Sequence, residues 1–281
     1  MASARSLVLG DGFLAQGIIK GLRSRGMDYV VSSRRPKGPN QFYLELAQTQ
    51  QWVFPEGVRV AYLCAGFTGR ERCSRAPESS RLINVDGVNK FISQCIKRKV
   101  RIIYASTVEV FSGEDPFNKI SKTPTPTSEY GRQKREVESR LLSMPESGVV
   151  IRMTKILSRE SQLIQKWRCR LENVEKVTAF SDIQISPVSL TYASDAMIEM
   201  GESELAGPLH ISGQGQHSYH EVCERYAGRM GYPLNLVVAE KGKHRAPLYA
   251  SLDMSENPPG TRNSQPLEEV LEEICSDASE K

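Results

Sequence analysis

Tyr130 and Lys134 of "YGRQK" lie four residues apart, a spacing that puts a phenol and an ammonium on one face of a helix. A free tyrosine has a pKa of ~10 and carries protons poorly at neutral pH. A cation beside it favours the phenolate and turns the phenol into a usable acid–base. Thr107 closes the run "VRIIYAST" and offers a hydroxyl suited to holding a carbonyl oxygen. Near the start, "SLVLGDGFLAQG" carries Gly10-x-Gly12-x-x-Ala15 between an apolar run and a helical pattern. In that setting Gly10 permits a sharp turn and Gly12 lets backbone N–H groups approach a pyrophosphate. Ala15 is small enough for close helix–strand packing. Each group also has a plainer reading: a surface helix for the Tyr/Lys pair, a helix N-cap for Thr107, and an ordinary strand–turn–helix for the glycines.

These groups need elements to hold them. The runs at 6–10, 28–33, 58–66, 100–106 and 148–153 are apolar, rich in β-branched residues and bounded by Gly or Ser, as interior strands are. Helical spacing appears between them at 13–22, 84–99 and 130–142. Alternation of this kind predicts an α/β fold with a Rossmann-type, doubly wound parallel sheet and its ligand crevice at the C-terminal strand ends. Residues 1–155 form the expected dinucleotide-binding part. Residues 156–281 form a smaller, mixed, mainly substrate-binding part with some segments returning to the sheet. In that second part 161–171, 192–201, 217–231 and 266–275 read as helices, 209–212 and 234–239 as strands, and the tail after Cys275 as frayed.

The end of the second strand bears on the cofactor. A site for NAD usually has Asp or Glu ~20 residues past the glycines to hold the ribose hydroxyls. Here Ser33, Arg34 and Arg35 stand in that place. Guanidinium groups grip a 2′-phosphate that a carboxylate would repel, so NADP(H) is expected ahead of NAD(H). The plainer reading is two arginines solvating a loop.

Composition sets outer limits. The chain has 281 residues, 39% hydrophobic and 25% charged, enough for a sizeable core. No apolar run approaches the ~18 residues that would cross a bilayer, so no membrane association is expected. A net charge of +4 suits a small anionic ligand and gives no ground for nucleic acid as a partner. Lys97, Arg98 and Lys99 fall at a helix end, where cations complement the dipole. The six cysteines are scattered without a Cys-x-x-Cys pair, which points to free thiols and a cytoplasmic protein. His210, His217, His220 and His244 form no ligand pattern with acids or thiols, so no metal is expected.

Taken in order, these pieces resemble the extended short-chain dehydrogenase/reductase superfamily, also called NAD-dependent epimerase/dehydratase, and most closely its dTDP-4-dehydrorhamnose reductase branch. The likeness rests on "STVEVFSG" at 106–113 and "YGRQK" at 130–134, with echoes in "CAGFT", "INVDG", "VIRMTKIL", "ISPVSLTYASDA", "LHISG" and "SLDMS". It implies hydride transfer from a nicotinamide to the carbonyl of a nucleotide-linked keto sugar, with Thr107, Tyr130 and Lys134 as the catalytic set. Tyr130 would give the proton, Lys134 would lower its pKa and hold the ribose, and Thr107 would orient the carbonyl. Cofactor contacts would come from Gly10, Gly12, Phe13, Leu14, Ser33, Arg34, Arg35, Cys64, Ala65 and Gly66 as well as Tyr130 and Lys134, with Asn84 steadying the nearby strand end. Thr107, Glu109 and Tyr130 would meet the substrate. Lys155, Arg159 and Lys166 offer charges for a diphosphate, although isolated surface cations are commoner.

The resemblance has departures. The glycine turn is one residue shorter than the branch's Gly-x-x-Gly-x-x-Gly. Val108 stands where the branch often has Asp, and of the Asp-Glu pair of related sugar dehydratases only Glu109 is present, which argues against elimination of water. A nucleotide-sugar epimerase and a non-catalytic, NADP-binding regulatory subunit remain as alternatives, and the resemblance leaves room for a homodimer.

Overall fold

The computed structural model describes residues 5–48, 52–242 and 247–276; His244 and the end of the expected frayed tail lie outside them. The short β-branched runs become parallel strands: β1 (Arg5–Leu9), β2 (Tyr29–Ser33), β3 (Gln41–Tyr43), β4 (Val58–Leu63), β5 (Arg101–Thr107), β6 (Gly148–Met153) and β7 (Gly207–Ile211). Their order in the sheet is β7-β6-β5-β4-β1-β2-β3, every pair parallel. The order reverses between β1 and β4. A crevice opens there at the C-terminal edge, because successive helices leave to opposite faces. This is the Rossmann-type, doubly wound α/β sheet.

Strand residues alternate between two cores, as a period of two requires. Val8 and Ile103 pack with Ala15, Ile18 and Leu22 of α1 (Phe13–Ser24) and with Ala193 and Met197 of a later helix, Leu190–Glu202. Leu7, Leu9 and Tyr104 face the other way onto Phe91, Ile92, Val137 and Leu141. Ala15 is 1% exposed and fills its expected packing place. The closest approach lies further along α1: a Cβ on Gly17 would stand 2.1 Å from the Ser194 hydroxyl oxygen.

After β4 the chain forms two short helices, α2 (Arg70–Arg75) and α3 (Pro77–Arg81), then a π-helical turn, Leu82–Gly87, and α4 (Val88–Lys97). Only a helix over 84–99 was expected there. After β5 a long irregular loop leads to α5 (Glu129–Leu142), whose N-cap Ser128 accepts a hydrogen bond from the Gly131 N–H at 3.0 Å.

The second half adds α6 (Gln162–Glu172), α7 (Leu190–Glu202), α8 (Tyr219–Arg229) and α9 (Leu267–Cys275). Of these, α7 covers the main sheet, and β7 joins it beside β6. A third core gathers Ile164 and Trp167 of α6, Tyr226 of α8 and Leu271 of α9 around a two-stranded parallel pair, Val177–Phe180 with Val237–Glu240. The strand expected at 234–239 therefore begins later, after a 3₁₀ turn at Leu234–Leu236, and belongs to this outlying pair. No helix among the described residues is long and apolar enough to cross a membrane.

Candidate active site

A cleft of about 1060 Å³ runs along the C-terminal strand ends and out under the second half of the chain. Its walls include Gly10, Gly12, Phe13, Leu14, Ser33 and Arg34 at one end, then Cys64, Ala65 and Gly66, and then Thr107, Glu109, Tyr130 and Lys134. The residues expected to form the catalytic set and to touch cofactor or substrate meet there except Arg35, which is not on the wall. Its backbone N–H instead donates to the Ser33 hydroxyl at 3.0 Å.

The glycine turn is built by close contact. Gly10 has φ +99°, and a Cβ there would lie 3.0 Å from the Ala65 Cα, so both backbone shape and space demand glycine. Its N–H donates to the Ser32 hydroxyl at 2.7 Å, tying the turn to the end of β2. Gly12 is the N-cap of α1, makes no side-chain cap, and has no atom within 4 Å of where a Cβ would stand. The first N–H groups of α1 therefore face open cleft, the arrangement that receives an anion. A phosphate fits this end. Asp11, a residue the sequence reading passed over, also lies on the wall, and its carboxylate accepts a hydrogen bond from the Ser33 hydroxyl at 2.6 Å. Arg34 reaches only a 3.9 Å ion pair with Glu45, with its side chain 75% exposed, and so remains available to a ligand.

Asn84 lies in the π-helical turn. Buried at 2% exposure, it accepts from the Phe67 N–H at 2.7 Å and donates to the Phe67 carbonyl at 2.9 Å, with Gln133 Oε1 at 2.8 Å from the same amide nitrogen. One side chain thus pins the loop after β4 to α5, as the resemblance implied for the strand end.

Helix α5 carries the central groups. Gly131 is required because a Cβ would stand 2.1 Å from the Glu109 carbonyl oxygen, so the helix start lies directly against the loop after β5. Tyr130 and Lys134 share the face turned to the cleft, with the Lys134 ammonium 5.8 Å from the Tyr130 ring centre and 4.6 Å from that of Tyr104. The ammonium donates to the Ala105 carbonyl at 2.8 Å. Burial lowers its pKa to about 8, opposed by nearby acidic groups including Cys64 and Glu138. Burial also raises the Tyr130 phenol above its ordinary value, and the Glu109 carboxylate adds to the rise. The phenol therefore rests protonated, as an acid ready to donate. Lys134 is not among the groups that shift the phenol, so the lowering expected from the sequence is not seen here.

Thr107 accepts a hydrogen bond from the Glu109 N–H at 3.2 Å, so the N-cap reading holds. Among the described residues no acceptor takes its own hydroxyl hydrogen, and the residue lines the cleft. Glu109 is held by Arg70 at 3.0 Å and by the Ser128 hydroxyl at 2.9 Å, both on one carboxylate oxygen. Burial raises its pKa, while Arg70 counters the rise.

Behind these groups lies an ion pair the sequence reading did not single out. Glu138 and Arg152 are 0% and 2% exposed, with Arg152 Nη2 3.0 Å from Glu138 Oε2. The Ser106 hydroxyl donates to the same carboxylate, and Arg152 Nη1 lies 3.4 Å from His210 Nε2. Burial lowers the His210 pKa to about 4, so this imidazole is neutral at ordinary pH. The network fastens α5 to β5, β6 and β7.

Of the three cations named for a diphosphate, Lys155 lines the cleft. Arg159 donates to the Ser276 carbonyl at 2.9 Å, and Lys166 is exposed on α6 outside the wall. Among the described residues no His, Cys, Asp and Glu cluster could hold a metal ion.

With the geometry in hand, the likeness to known proteins is informative. The family model described as RmlD substrate binding domain matches residues 5–256. A dTDP-4-dehydrorhamnose reductase of Sinorhizobium fredii is 27% identical over 164 residues, 55% of this chain and 55% of that protein. The chain spans about half the length of the curated relatives it matches. Among solved structures, a dTDP-4-dehydrorhamnose reductase of Bacillus anthracis in complex with NADP superposes with a TM-score of 0.85 at 17% identity, covering 98% of each chain. A UDP-glucose 4-epimerase of Thermotoga maritima with UDP-glucose superposes at 0.83, with 18% identity over 96% of this chain and 97% of that one. At these identities the structural likeness is one of fold.

Proposed function

The chain belongs to the RmlD substrate binding domain family, and from that premise we propose that it is an NADP(H)-dependent reductase of a nucleotide-linked keto sugar. The observation that carries the reading is one continuous cleft that joins the uncapped N-terminus of α1 to Tyr130, Lys134 and Thr107. The relatives' names, and the NADP held by one structural neighbour, point the same way.

The bound dinucleotide would supply the hydride. The chain's residues do the rest. The N–H groups at the start of α1 would hold the pyrophosphate, and Arg34 would hold the 2′-phosphate. Thr107 donates its hydroxyl hydrogen to the carbonyl oxygen and fixes its position. Tyr130, kept protonated by burial, gives its proton to the oxygen as negative charge develops there. Lys134, held by the Ala105 carbonyl, stabilises the phenolate left behind and bonds the ribose of the cofactor.

Steady NADPH oxidation by purified protein with nucleotide-4-keto sugars is the test. Interconversion of sugars without net NADPH use would mark an epimerase instead. Tight NADP binding with no turnover on any keto sugar, together with an obligatory protein partner, would mark a regulatory subunit.

A further inference from the structure

Lys155 has a place that the reductase reading leaves unused. In the parallel register Thr107 of β5 lies opposite Met153 of β6, so the chain that leaves β6 toward Lys155 runs beside the reacting hydroxyls, one strand spacing of ~4.8 Å away. The segment is pinned on both sides. The Lys155 carbonyl accepts from the Val188 N–H at 2.9 Å, the Thr154 N–H donates to the Ile211 carbonyl at 3.1 Å, and Ile156 and Leu157 pair with Val188 and Ser189.

The charge at its tip is not spent on the fold. No hydrogen bond or close ion pair among the described residues takes the Lys155 ammonium. The carboxylate that acts on it, Glu109, is already bound by Arg70 and Ser128. Leu163, Trp167 and Ile185 line the same cleft. Partial desolvation pulls the Lys155 pKa below its ordinary value, and the Glu109 carboxylate opposes the shift. The side chain is exposed on a backbone that is held from both sides, so an anionic ligand entering the cleft meets a positive charge that makes no hydrogen bond within the described fold.

We propose that Lys155 is a specificity-determining residue that binds an anionic phosphate oxygen of the substrate and so holds the adjoining sugar carbonyl at Thr107 and Tyr130. This rests on the reductase reading for the sugar, but the phosphate contact can be measured alone.

Calorimetric titration of dTDP and of UDP into the full chain saturated with NADP tests it, with wild type, K155M, K155R and K166M, a control outside the cleft wall, compared. A charge-assisted bond predicts that K155M binds the diphosphate ~10- to 100-fold more weakly. K155R should keep most of the affinity, and K166M all of it. In turnover K155M should raise KM far more than it lowers kcat, because the contact is present before and during reaction. Equal diphosphate affinity in wild type and K155M, or no binding of either diphosphate to wild type, overturns the proposal. Lys155-dependent diphosphate binding without oxidation of NADPH by any nucleotide keto sugar would sink the reductase reading and leave this one standing.

Discussion

Replacing Tyr130 by phenylalanine removes one hydroxyl and little else. No hydrogen bond among the described residues takes that hydroxyl, and the ring keeps its place 5.8 Å from Lys134, whose bond to the Ala105 carbonyl does not involve the phenol. The variant should therefore fold as the parent does, with a Tm within a few degrees. A positioned proton donor contributes ~10²- to 10⁴-fold to rate, which at ~1.36 kcal/mol per tenfold is about 3–5 kcal/mol of barrier. NADPH oxidation with a nucleotide-4-keto sugar should show kcat down by that factor, while NADPH affinity, measured by fluorescence titration, stays within about threefold because the α1 turn is untouched. A Y130F protein that keeps kcat within fivefold of wild type would refute the assignment of proton donor.

Four further outcomes follow from the same geometry. Lys134, with its pKa lowered to about 8, loses its proton as pH rises through that value, so kcat/KM for reduction should fall above about pH 8; a flat profile to pH 10 would contradict the role given to the ammonium. Because that pKa is lowered from 10.5 by burial, the unfolded chain binds the proton more readily than the folded one between about pH 8 and 10.5. Stability gained from losing it should rise with pH across that window, and urea unfolding should find K134M at least as stable as wild type at pH 7 although inactive. Arg34 lines the cleft and Arg35 does not, so R34A should weaken NADPH binding ~10-fold with little effect on NADH, and R35A should change either by less than about threefold; equal losses in a titration series would move the 2′-phosphate site. Breaking the buried Glu138–Arg152 pair with E138A strands a guanidinium that is 2% exposed and should cost roughly 3–5 kcal/mol in denaturant unfolding; a loss under 1 kcal/mol would mean that the network does not secure α5.

The sheet was legible because buried parallel strands are short, continuous β-branched runs, and six of the seven carry that pattern. Gln41–Tyr43 does not: it is a brief edge strand, without an apolar run to betray it. Arg70–Arg75 and Pro77–Arg81 are too short and polar for periodicity to register. Their role is to deliver Arg70 to Glu109 and to set up the turn that holds Asn84. Spacing alone required Tyr130 and Lys134 to share a helix face; grouping them with Thr107 came from the family resemblance, and all three line one cleft. Glu138 continues that face one turn further, which was a signal for its inward direction. Its partner Arg152 sits in a strand and could be paired with it only by the tertiary fold. Asp11 carried no signal of its own in the sequence, and only the parallel pairing of β1 with β2 brings it to Ser33. The spacing of Ser33, Arg34 and Arg35 likewise could not say which guanidinium faces the cleft.

The central claim is that a phenol on α5 and a hydroxyl at the end of β5 serve a carbonyl receiving hydride in this cleft. The most direct measurement is mass analysis of the sugar product after turnover with NADPH deuterated at the transferable nicotinamide position. The account predicts one deuterium on the carbon that had been the carbonyl, formed in step with cofactor oxidation and lost to background in Y130F. Product without deuterium, or oxidation of NADPH that proceeds equally in Y130F, would contradict it.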